Sequence, residues 1–187
     1  MSFKIRHHQK RGAIRQFISD AIYQLLQMAV LLFAMIIINL SVCGIAVVHG
    51  ESMEPTLKEG NFLFCWKLYE PKRFDVILCR TGKGYEKELV KRVIGLPGDE
   101  IYIDKNMGIV YINGTPLDED YCQGRTFNVG DVSYPVIVPI GQYFVMGDNR
   151  DVSLDSRYSE IGTIDADKID GHVLFRIYPF SKIGKIE

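Results

Sequence analysis

The sequence predicts a mainly β protein, an antiparallel domain of short strands preceded by a single transmembrane helix. Three observations carry this expectation. No Asp, Glu, Lys or Arg occurs from Ala21 to Gly50, and the stretch is apolar through Val48. Beyond it the pattern changes to short runs of β-branched and aromatic residues, which suit a pleated, half-buried surface. Those runs are separated by Gly, Pro, Asn and Asp, including Asn113-Gly114, a strong hairpin signal.

Taken in order, residues 1–20 form a basic segment, with Lys4, Arg6, Lys10, Arg11 and Arg15 against Asp20 alone. Such an excess next to an apolar run favours the cytoplasmic side. Residues 1–15 are polar and read as a mobile or surface-lying arm. Residues 21–48 read as the anchor helix, because about 20 apolar residues cross a bilayer core. A cleaved signal peptide would carry a shorter apolar region, of about 7–15 residues. Gln24, Gln27, Asn39 and Ser41 are tolerable near the ends of the span or against a partner. The expected arrangement is therefore a single-pass protein of the cell membrane, lipid-bound through the anchor, with residues 49–187 outside the cytoplasm.

That third segment is long enough for one cored domain. From Glu51 onwards it holds 17 basic and 22 acidic side chains, which leaves no footprint for nucleic acid. Strands are expected at Asn61–Trp66, Phe74–Cys79, Glu88–Ile94, Glu100–Ile103, Ile109–Ile112, Pro135–Val138, Tyr143–Met146 and Gly171–Ile177. Residues from about 101 to 138 read as a flap or inserted hairpin region. Cys43 falls in the anchor, and Cys65, Cys79 and Cys122 are too few and oddly numbered for a disulfide framework. They are expected as three buried thiols.

The chemistry centres on Ser52 and Lys91. A serine hydroxyl needs a base before it attacks a carbonyl, and a neutral lysine amine can serve. In a strand, Lys91 shares a face with Leu89 and Val93, so its amine would be desolvated and its pKa lowered. Spacing alone also allows an edge-strand lysine that guards against aggregation, and a Ser52 that is only a polar residue leaving the membrane. Gly50 permits close backbone approach, Pro55 stiffens the turn, and the Ser52 N–H is available to an oxyanion. A histidine triad would have to recruit His49 or His172, and neither G-x-S-x-G nor Ser-x-x-Lys occurs. A third segment, Gly147 to Arg157, is rich in Asp and Arg. It lacks the glycine and terminal glutamate of a calcium loop, and its arginines favour ion pairs, so neither metal nor cofactor is expected.

Together these segments resemble the bacterial type I signal peptidases, the Ser–Lys membrane proteases that remove signal peptides. Ser52-Met53-Glu54-Pro55-Thr56-Leu57 is similar to the family's S-M-x-P-T-L. Lys91 to Asp99 is similar to K-R-[VA]-[VI]-G-L-P-G-D, and Gly147 to Arg157 to G-D-N-R-D-N-S-x-D-S-R. The resemblance covers nearly all of residues 20–178 and implies the β-rich signal-peptidase fold in the compact, single-anchor form of Gram-positive bacteria. It implies Ser52 as nucleophile, Lys91 as general base, and Ser153 as the residue that hydrogen-bonds and orients the lysine amine. Asp155 and Arg157 would form a supporting ion pair, with Asp148 bracing the same loop. The substrate would be a signal peptide of an exported preprotein, bound as an added strand, with small residues at −1 and −3.

This chain departs from the pattern at Val152, where the family usually has Asn, and at Gly50, where some members carry a serine hydroxyl. The 99–146 interval is short, and Tyr158 to Gly162 lacks the usual aromatic pair. Two other readings share the motifs: a dedicated peptidase for pilin-type surface proteins, and a catalytically silent relative acting as an assembly chaperone.

Overall fold

The computed structural model describes residues 2–81, 88–122 and 124–186, with side chains from residue 15 onwards except that of Leu40. The chain divides into two compact units at Val42/Cys43. The first is one helix, α1, Ser2–Val42. The basic segment thus continues the helix instead of forming a separate arm. Within α1, Arg15–Asn39 has a mean hydropathy of 2.3 over its most apolar window and is long enough to cross a membrane. Its 25 residues rise about 37 Å at 1.5 Å each, against a hydrocarbon core of about 30 Å. Asn39 Nδ2 and Ser41 Oγ each donate back to a carbonyl four residues earlier, those of Met35 and Ile37. Such bonds satisfy polar side chains where no water is at hand.

Residues 43–48, expected in the anchor, belong instead to the second unit. Cys43–Val47 forms β1, antiparallel to β2, Phe62–Trp66, with Ala46 opposite Leu63. Ala46 and Val48 are buried in a cluster with Met53, Leu57, Leu63, Cys65, Val76 and Val173. Hydropathy runs on without a break across this junction, and an apolar run alone does not separate helix from strand. The β-branched residues Ile45, Val47 and Val48 after Gly44 favour the extended chain.

The remaining strands follow in chain order. They are β3 Val76–Arg80, β4 Glu88–Gly95, β5 Glu100–Asp104, β6 Ile109–Ile112, β7 Thr115–Pro116 and β8 Val136–Ile137. After them come β9 Gln142–Met146, β10 Ile164–Asp165, β11 Ile169–Tyr178 and β12 Gly184–Lys185. All eight expected runs hold a strand; besides β1, the two-residue strands β7, β10 and β12 are additional. The larger sheet has the order β1-β2-β11-β3-β4-β9-β10, with β12 beside β11. The smaller sheet, β7-β6-β5-β8, is drawn from residues 100–137. Its Ile101, Ile103, Val110 and Ile112 pack against Ile94, Phe144 and Met146 of the larger sheet. A third cluster, around Ile77, Cys79, Val93 and Val145, closes the β3–β4–β9 region. Strand β4 supplies apolar side chains to all three clusters through Val90, Ile94 and Val93, so its position is fixed from every side.

The assignment of residues 43–48 is directly testable. Val48 is 3% exposed in the first cluster, so Val48→Ala should destabilise the domain by about 1–3 kcal/mol. Thermal unfolding of the full chain in detergent measures this; an unchanged midpoint would return Val48 to the anchor.

Candidate active site

Ser52 sits on a turn that the core holds from beneath. The chain leaves β1 and reverses at Gly50, whose φ of 80° lies in the left-handed region and has open space around it. That backbone angle favours glycine. The next residues turn back on themselves, with Glu54 N donating to Glu51 O and Leu57 N to Met53 O at 2.8 Å. Met53 and Leu57 are buried, 1% and 0% exposed, and act as two pegs on either side of the turn. From across the site Asn149 N donates to Ser52 O at 3.0 Å, and Asn149 Nδ2 to Glu51 O.

Lys91 meets the serine from β4. Its Nζ lies 2.6 Å from Ser52 Oγ, within hydrogen-bond distance, and the residue is 3% exposed. Leu89 and Val93, the same-face neighbours in β4, join the third cluster, as does Ile77 opposite Lys91 in β3. Burial among these side chains lowers the Lys91 pKa. Asp155, Cys79 and Asp148 pull it upwards and Arg157 downwards, but desolvation prevails. A lysine in this setting can hold a free amine, and the nearest hydroxyl to receive its attention is that of Ser52.

The loop from Gly147 to Arg157 is built on buried ion pairs. Arg92, next to Lys91 on the opposite face of β4, donates from Nε and Nη2 to the two oxygens of Asp148 at 2.9 and 2.7 Å. Thr56 Oγ1, in the serine turn, donates to the same carboxylate. Asp148 therefore ties β4 to the serine turn, a wider role than bracing its own loop. Arg157 donates to both oxygens of Asp155 at 2.8 and 2.9 Å, and to the carbonyls of Asn128 and Arg150. Asp155 in turn accepts from Gly147 N. Arg150 is held by Glu119, Thr126 and Gly147 O. The Asp148 and Asp155 oxygens are thus engaged by arginine, and Asp151 is exposed.

Gly147 is required by space. A Cβ there would overlap Ser52 O and Ser153 Oγ. Ser153 itself departs from expectation. It is 2% exposed, but its hydroxyl is turned towards Gly147 and has no hydrogen-bond partner among the described residues. The bond expected from Ser153 to the lysine amine is therefore not made, and packing and Ser52 locate the amine instead. Val152 is 58% exposed, so the missing asparagine faces solvent and leaves the loop interior unchanged.

Neither histidine takes the place of Lys91. His172 lies 3.4 Å from Asp75 and stacks on Tyr69 with ring centroids 4.4 Å apart. His49 is exposed at the edge of the Ser52 cavity. The cysteines are all free; Cys65 and Cys79 are buried, while Cys122, expected buried, is half-exposed. Burial pushes the Cys65 thiol up to about 11 and those of Cys79 and Cys122 up to about 12.

Beside Ser52 and Lys91 lies a cavity of about 100 Å³, with Ala46, Val48, Met53, Leu78, Leu89 and Val90 among its lining residues. Two strand edges border it. Among the described residues, β1 pairs only with β2, and residues 88–91 of β4 pair with β3 but not β9, whose ladder starts at Arg92.

A sequence model of the family described as signal peptidase, peptidase S26, matches residues 21–178. The chain belongs to this family. It is 39% identical over 154 residues to signal peptidase I of Bacillus licheniformis, covering 75% of this chain and 80% of that protein. It is 38% identical over 155 residues to signal peptidase IB of Staphylococcus aureus strain Mu50, covering 72% and 78%. A crystal structure of a signal peptidase I from Enterococcus faecalis V583 superposes with a TM-score of 0.46 at 33% identity, over 56% of this chain and 97% of that one. Membership of the signal peptidase family and the apolar span in α1 together make this a membrane-anchored peptidase.

Three contributors were not singled out from the sequence. Arg92 and Thr56 lie inside the lysine and serine segments, and Asp148 was assigned to its own loop, so what the sequence did not reveal was their pairing. Glu119 stands in an irregular stretch with no motif around it.

The buried lysine has a thermodynamic consequence. Its folded-state pKa is depressed below its ordinary 10.5, so between the two values the unfolded chain binds more protons and stability rises with pH. Below the lowered value the cost of charging the amine is fully present. Lys91→Met should abolish activity, flatten this pH dependence and raise the neutral-pH melting midpoint by about 2–4 °C per kcal/mol relieved. Melting curves from pH 6 to 10 measure it; a lowered midpoint would show that the amine stabilises the fold.

Proposed function

We propose that Ser52 is the nucleophile and Lys91 the general base with which this signal peptidase cleaves N-terminal signal peptides from exported preproteins. The observation that carries the assignment is the 2.6 Å approach of a buried lysine amine to the serine hydroxyl. The neutral amine accepts the hydroxyl proton as Oγ attacks the scissile carbonyl, and the resulting ammonium returns it to the departing amine. Water, deprotonated by the same amine, then releases the acyl group from Ser52. The Ser52 N–H is the donor nearest the developing oxyanion, since Gly50 carries no hydroxyl.

The signal peptide lies extended between the β1 and β4 edges and hydrogen-bonds to both, as strand addition requires. Its −1 side chain enters the cavity beside Ser52. At about 100 Å³ that space is smaller than the ~150 Å³ needed for benzene, which suits alanine and rejects larger side chains; a small residue at −3 follows along the same strand. The basic N-terminus stays cytoplasmic and residues from about 49 lie on the opposite side, among membrane lipid and emerging preproteins.

Ser52→Ala and Lys91→Ala should each abolish processing of a preprotein with Ala at −1 and −3, measured by release of the mature protein. Retained cleavage in either variant removes the dyad, and a covalent adduct of a β-lactam-type inhibitor on Ser52 excludes a silent relative. Replacing the −1 Ala by Leu should block cleavage of the substrate. Val152→Asn should leave the rate within about twofold, as for an exposed residue away from the chemistry.

A further inference from the structure

Among the described residues, the stretch between β7 and β8 contributes nothing to the cavity beside Ser52, whose lining comes from residues 46–49, Ser52, Met53, Leu78 and residues 88–91. It covers the ion-pair layer instead. The Tyr121 ring faces the Arg92 guanidinium with Cζ 4.2 Å from the ring centroid. Phe74 makes a tilted contact with the ring, with centroids 6.0 Å apart. The Tyr121 hydroxyl donates to Glu119 Oε1 at 3.1 Å, and Glu119 in turn holds Arg150. An aromatic face attracts a cation most strongly where water is kept out.

The residue under that ring is the neighbour of Lys91. Arg92 and Asp148 are 1% and 0% exposed, and the Asp148 carboxylate also accepts from Thr56 of the serine turn. The Arg92–Asp148 pair is therefore the bolt between the strand that carries the amine and the turn that carries the hydroxyl. We infer that Tyr121 is a positioning residue for the Ser52–Lys91 pair: its ring presses Arg92 onto Asp148 and so sets β4 against the serine turn. This rests on the assignment of Ser52 and Lys91 as nucleophile and base.

The charged and titratable groups around Lys91 give the inference a distinctive readout. Cys79 faces the amine from β3, and Asp148, Asp155 and Arg157 act on it from the 147–157 loop. Without the ring, water reaches the ion pair and Arg92 neutralises Asp148 less completely. Both changes favour the ammonium form of Lys91, so the acid limb of the pH–rate profile moves to higher pH. Misplacement of the hydroxyl by a fraction of an ångström slows the chemical step. The substrate cleft, which takes none of the described residues of this stretch, keeps its affinity.

The test uses the full chain in detergent with a preprotein substrate, comparing wild type, Tyr121→Phe, Tyr121→Leu and Ser52→Ala, with active-site titration and melting curves. Tyr121→Leu should lower kcat roughly tenfold or more with KM within about twofold and the acid limb shifted up. Tyr121→Phe, which keeps the ring over Arg92, should match wild type. Three results overturn the inference: Tyr121→Leu with wild-type kcat and acid limb, a loss with the acid limb unmoved, or Tyr121→Phe as impaired as Tyr121→Leu. Where the Leu variant does not fold, Tyr121→Met fills the space with a flexible chain and is judged by the same outcomes. Cleavage by Ser52→Ala would instead defeat the dyad; an inactive Ser52→Ala beside an unaffected Tyr121→Leu removes only the role of Tyr121.

Discussion

A lysine amine placed among aliphatic side chains, with its nearest hydroxyl on a neighbouring turn, is the constraint around which this domain is arranged. Desolvation must be strong enough to hold the amine uncharged, yet Asp148 and Asp155 stand close enough to favour the ammonium. The fold reconciles the two by giving each carboxylate its own arginine. Asp148 is bound by Arg92 and Asp155 by Arg157, and the upward pull that both still exert on Lys91 is outweighed by desolvation. Charge is thus present in quantity beneath the site, arranged in pairs of opposite sign.

Those pairs are costly elements to build with. Taking a guanidinium and a carboxylate out of water loses several kcal/mol per ion before their attraction returns any of it. Arg92, Arg150 and Arg157 are nonetheless among the most buried side chains in the domain. What they contribute is geometry. A bidentate arginine–carboxylate contact permits one relative orientation of its two supports, and here the supports are β4, the serine turn and the 147–157 loop. An apolar layer of the same volume would pack as well but would allow the turn to slide.

Much of this was legible from the chain, and the failures are instructive. Each of the eight expected strands was marked by composition and bracketed by turn residues, and the face shared by Leu89, Lys91 and Val93 followed from alternation alone. The end of α1 was hidden, because Ile45, Ala46, Val47 and Val48 are as apolar as the helix before them. Their β-branching is a weak signal beside the burial of Ala46 and Val48, and that burial depends on the partner strand β2. The meeting of Ser52 with Lys91 could be reached through family resemblance but not through spacing. Ser153 was placed in the correct loop, but its side-chain rotation is decided by the proximity of Gly147, which no local pattern records. The ring of Tyr121 over Arg92 had no signal at all, for the stretch around it has neither period nor motif.

The state of the thiols has a separate implication. Cys43, Cys65, Cys79 and Cys122 are all unpaired, and the last three are held far on the protonated side, where a thiol is a poor nucleophile and slow to oxidise. No disulfide joins the four cysteines in this structure, and the last three are not primed to form one. In the folded domain Cys65, Cys79 and Cys122 therefore enter thiol–disulfide exchange slowly, because exchange runs through the thiolate.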